Sequence, residues 1–119
     1  MKKLLLISIF IITFLLFAGC SAEKDVLITS QSSSDGNYTV SLYQTGEPQW
    51  SFGNVKARLI LENSDGQVLD EESFELANDG GNVTAQNITE VIWSESFVEV
   101  RMKEFDTIRQ YTYILNYDK

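Results

Sequence analysis

Three clusters of residues that tolerate left-handed backbone cut this chain into short segments: Ser33-Ser34-Asp35-Gly36-Asn37, Asn63-Ser64-Asp65-Gly66 and Asn78-Asp79-Gly80-Gly81-Asn82. Between them apolar and polar residues alternate. Tyr38, Val40 and Leu42 fall on one side of a segment, Thr39 and Ser41 on the other. Val55, Ala57, Leu59 and Leu61 oppose Lys56, Arg58 and Glu62, with Ile60 the exception. Val98, Val100 and Met102 oppose Glu99, Arg101 and Lys103, and Tyr111, Tyr113, Leu115 and Tyr117 form an aromatic stripe against Gln110, Thr112 and Asn116. A period of two belongs to half-buried antiparallel strands. We read strands over 26–32, 38–44, 54–62, 67–76, 88–93, 96–103 and 108–117. Asp70-Glu71-Glu72 has the composition of a helix start, but the Asp-Gly turn before it and the alternation of Phe74 with Leu76 favour a strand. The expected fold is all-β: a small antiparallel two-layer sandwich or curled meander of about seven strands, in a single domain over 26–119.

A different pattern precedes it. Lys2 and Lys3 are followed by an uncharged run from Leu4 to Ala18, interrupted by Ser8 and Thr13. At about 1.5 Å per residue this run spans roughly 22 Å, less than the ~30 Å hydrocarbon core of a bilayer. It ends in Phe17-Ala18-Gly19-Cys20, two small residues immediately before the chain's single cysteine. A plain secretory cleavage site needs no cysteine. The segment resembles the signal peptide and lipobox of bacterial lipoproteins, with Phe17 at the position usually held by leucine. The resemblance implies cleavage after Gly19, so that residues 1–19 are removed. It also implies a thioether-linked diacylglycerol, with the palmitate-type acylation of such proteins, on Cys20. Residues 20–25 then serve as a short tether, and the protein is extracytoplasmic and lipid-anchored to the bacterial membrane. Two acyl chains on one residue suffice for stable anchoring.

Cleavage would leave 100 of the 119 residues, enough for one core without metal or disulfide help. All 17 acidic residues would survive it, against seven of the nine basic ones, a net charge of −10. So acidic a domain is unsuited to nucleic acid, whose phosphates require a basic face. It is equally unsuited to direct docking on anionic headgroups, and it would draw in cationic partners. The chain has no histidine, which removes the commonest general base and zinc ligand.

Trp50 and Phe52, in the loop Gly46-Glu47-Pro48-Gln49-Trp50-Ser51-Phe52-Gly53, are the candidate partner contacts; they can present a rigid aromatic surface or fold inward to plug the sandwich. The Asn78–Asn82 and Asn63–Gly66 clusters offer oxygen atoms but too few carboxylates for calcium, and read as turns. Asp70, Glu71, Glu72 and Glu75 are the densest acidic patch, yet strand alternation splits them between two faces. Asn37, Asn82 and Asn87 open glycosylation sequons that a bacterial lipoprotein leaves unmodified. The sequence holds no nucleophile elbow or phosphate-cradling loop, and points to no enzyme, cofactor, metal or small-molecule substrate.

Ser34-Asp35-Gly36-Asn37-Tyr38-Thr39-Val40 resembles the Asp-Gly hairpin of TolB-type β-propeller blades, and Ile92-Trp93-Ser94-Glu95 with Phe97-Val98-Glu99-Val100 resembles their Trp-Ser-x-x strand pair. A propeller needs at least four four-stranded blades, so what is shared is a hairpin device. More broadly the region is similar to small uncharacterised lipoproteins of Firmicutes, which supply no activity. The expected function is a lipid-anchored binding or accessory module that holds a protein of the cell envelope through an edge strand or the Trp50 loop. The alternative is an inhibitor or immunity-type protector that binds cationic proteins.

Overall fold

Each alternating segment forms a strand in the computed structural model, which describes residues 25–48, 53–105 and 109–118. Strands β1 (Val26–Ser32), β2 (Tyr38–Gln44), β3 (Asn54–Asn63) and β4 (Val68–Ala77) form one antiparallel sheet in chain order. Strands β5 (Ile88–Trp93), β6 (Phe97–Lys103) and β7 (Gln110–Asn116) form a second. The fold is all-β, as expected, and the acidic segment after Leu69 lies within a strand. The sequence did not announce the short 3-10 turn Ala85–Asn87 or the three strand bulges, near Ile28, Leu69 and Thr89.

Register explains which side chains meet. Val40, Leu61 and Asp70 lie abreast across β2, β3 and β4, as do Leu42, Leu59 and Glu72, so they share one face. On the second sheet Val91, Val100 and Tyr113 lie abreast, as do Trp93, Val98 and Leu115. These two faces supply one buried core, in which Leu42, Leu59, Leu61, Leu76, Met102 and Leu115 are fully enclosed. Burying side chains of this size contributes about 1.5–3 kcal/mol each.

Phe74 of β4 stacks on Tyr113 of β7, with ring centroids 4.3 Å apart. Two carboxylates join the sheets as well. Asp70 Oδ2 accepts the Asn116 N–H at 2.9 Å, and Glu104 Oε2 accepts the Ala77 N–H at 3.2 Å. Asp70 is only 6% exposed, so this backbone donor compensates part of its lost hydration.

The topology gives the body two unlike ends. Val26 pairs with Gln44, so the chain enters where β2 stops and where the β2–β3, β4–β5 and β6–β7 connections lie. At the opposite end are the hairpin turns 33–37, 63–67 and 94–96, together with Tyr117 and Asp118.

Candidate functional site

The turn end holds a cleft of about 360 Å³ between the first hairpin turn and the β5–β6 turn. Its first wall follows from the sequence Ser33-Ser34-Asp35-Gly36-Asn37. Gly36 sits at φ +75°, which glycine adopts without penalty, and its N–H donates to the Ser33 carbonyl at 3.0 Å. Asp35 braces the turn: Oδ1 accepts the Ser33 hydroxyl at 2.6 Å and the Asn37 N–H at 3.0 Å, while Oδ2 accepts the Asn37 side-chain amide at 3.2 Å. The Ser33 hydroxyl, and after it the Asn37 N–H, hold the Asp35 carboxyl below its ordinary pKa.

The aromatic wall comes from three strand ends. Tyr38 opens β2, and its ring stacks on Tyr117 with centroids 4.0 Å apart and planes 9° from parallel. The Tyr117 hydroxyl donates to the Ser94 carbonyl at 2.8 Å and its N–H to the Ser96 carbonyl at 3.0 Å, fastening the chain after β7 to the β5–β6 turn. Burial, and then the neighbouring Tyr38, raise the Tyr117 pKa above its ordinary value. Trp93 closes β5, half-buried against the core, and also lines the cleft. Glu95, the next turn residue but one, lines it too and is exposed.

Two segments singled out in the sequence only as hairpin devices, Ser34–Val40 and Ile92–Glu95, thus meet in one cleft. Phe17, Ala18, Gly19, Cys20, Trp50 and Phe52 are outside the described residues, although Pro48 and Gly53 place both ends of the Trp50 loop at the entry end.

The other candidate clusters are occupied by the fold. Asn78 and Asn87 form a reciprocal amide pair, at 3.1 and 3.0 Å. Asn87 also donates to the Lys103 carbonyl at 2.8 Å and accepts the Thr84 N–H at 2.9 Å. Gln44 accepts the Val83 N–H at 2.7 Å and donates to Asn82 Oδ1 and the Gly46 carbonyl. This amide cluster ties three connections together at the entry end. Asn87 is completely buried, so its sequon offers no access to a modifying enzyme. Asn63 Oδ1 accepts the Asp65 and Gln67 N–H groups, both at 3.0 Å, and so caps a turn. The acidic patch divides as the alternation requires, with Asp70 and Glu72 on the core side of β4 and Glu71 and Glu75 on the other.

No known family matches this chain, and no curated protein or solved structure is significantly similar to it.

Proposed function

We propose that this protein is a lipid-anchored binding module on the outer face of a bacterial membrane, holding a protein of the cell envelope. The observation that carries the reading is the distance between anchor and body. Only residues 21–25 separate Cys20 from β1, a reach of at most about 17 Å. A body on so short a tether stays beside the membrane, with its entry end inward. The turn end, about 23 Å further along the seven residues of β1, faces outward. Strand β1 is also the outer strand of its sheet, and Val26 and Leu27 are more than half exposed beside the tether. Such an edge accepts a partner strand through main-chain hydrogen bonds.

Crosslinking in cells at native expression, followed by mass spectrometry, tests the proposal, with Cys20→Ser as the unanchored control. A single envelope protein captured by the anchored form alone is the expected result. Equal capture by both forms, or no specific capture, contradicts it.

The second reading, a protector that intercepts cationic proteins, is favoured by the crowding of carboxylates at the turn end. It predicts capture that weakens steeply with salt.

A further inference from the structure

The cleft at the turn end has a composition that selects its ligand. Asp35 and Glu95 supply carboxylates, Tyr38, Trp93 and Tyr117 supply aromatic rings, and among the described residues no lysine or arginine lines it. The surroundings repeat this bias. Asp35, Glu62, Asp65, Glu95 and Asp118 all lie at the turn end, whereas the described bases Lys56, Arg58, Arg101, Lys103 and Arg109 lie toward the entry end. Arg58 is further occupied by Asp25 at 3.1 Å, and Arg101 by Glu90 at 2.9 Å. Among the described residues the charge at the cleft is therefore negative with no base beside it, which repels phosphates and acidic glycans.

We propose that this cleft binds an organic cation, the guanidinium or ammonium group of a basic peptide segment, through the Asp35 and Glu95 carboxylates and the Tyr38, Trp93 and Tyr117 rings. Cations favour the faces of tryptophan and tyrosine, and the gain rises when a carboxylate shares the charge. A volume of about 360 Å³ fits a side chain and a few neighbouring atoms, not a folded domain. The Asx turn keeps Asp35 oriented before any ligand arrives, so little ordering remains for binding to impose. The outward aim of the cleft rests on the anchored-module reading. The binding chemistry does not.

Calorimetric titration of the purified full chain in neutral phosphatidylcholine nanodiscs tests the inference whatever the state of Cys20. The probes are acetyl-Gly-Arg-Gly-amide, its citrulline counterpart and free agmatine. The arginine peptide is expected to bind saturably, about tenfold more tightly than the citrulline peptide, and to weaken by a similar factor in about 0.5 M salt. Asp35→Asn keeps an acceptor for the turn and removes the charge, and Glu95→Gln changes an exposed side chain. Each is expected to weaken the arginine peptide several-fold, Glu95→Gln at an unchanged melting temperature and Asp35→Asn with a small fall, because the turn loses the acceptor of the Asn37 side-chain amide. Agmatine, which carries the guanidinium on a free small molecule, binding as tightly as the peptide would keep the cleft chemistry and remove the peptide segment as its source. Equal binding of the citrulline peptide, no saturable binding, or full affinity in both variants overturns the proposal. Cation binding without an envelope partner in cells would remove the accessory role and leave the cleft standing.

Discussion

Asn87 shows how much of this fold depends on a single amide. Its side chain serves Asn78, the Thr84 N–H and the Lys103 carbonyl at a point with no access to water. Asn87→Ala strands these groups, and each buried unpaired group costs about 1–3 kcal/mol. We expect a loss of about 3 kcal/mol in urea unfolding, with Asn87→Asp no better because it lacks the donors. Tyr113 gives a residue-level pH signature. Burial, with Tyr111 next in effect, pushes its pKa up to about 12 from an ordinary 10.0. The folded state then holds the phenolic proton more tightly than the unfolded state. That stability is fully present below about pH 10 and is lost as pH rises toward about 12. Urea midpoints across this range should fall in the native protein, and Tyr113→Phe should flatten the fall.

Among the elements, strand existence was legible and strand association was not. Residues such as Val98, Val100 and Met102 face the core because a period of two leaves them no other side, so the pattern fixes the face locally. The bulges near Leu69 and Thr89, and the pairing of strands into two sheets, depend on partners distant in sequence, and no local signal carries them. Asn87 and Gln44 read as loop and strand polar residues; their burial follows from loops meeting at one end. The cleft was half legible. Asp35-Gly36 and Trp93-Ser94 stood out as hairpin residues, but their turns are brought together by the Tyr38–Tyr117 stack and the Tyr117 hydrogen bonds to Ser94 and Ser96, which no local signal announces. Two elements can be tested separately. Asp70→Ala should free the Asn116 N–H, cost about 2 kcal/mol and speed hydrogen exchange at β7. Gly36→Ala meets no neighbouring atom, so its cost should be the left-handed backbone alone, about 1–2 kcal/mol by thermal unfolding, with Gly36→Asn milder.

For the whole molecule, charge and topology reinforce one another. Net charge alone argues against any approach to anionic lipid, yet the described bases sit toward the entry end and carboxylates dominate the turn end. An anchored body would thus present its most negative surface to the exterior, where basic segments arrive. This arrangement needs export and attachment at Cys20, because without them the two ends have no inside or outside. Mass spectrometry of the N-terminal peptide, taken from protein in the membrane fraction, examines that requirement. The account predicts a peptide beginning at Cys20 and carrying acyl chains. A peptide that retains residues 1–19, or one with an unmodified Cys20, would contradict it.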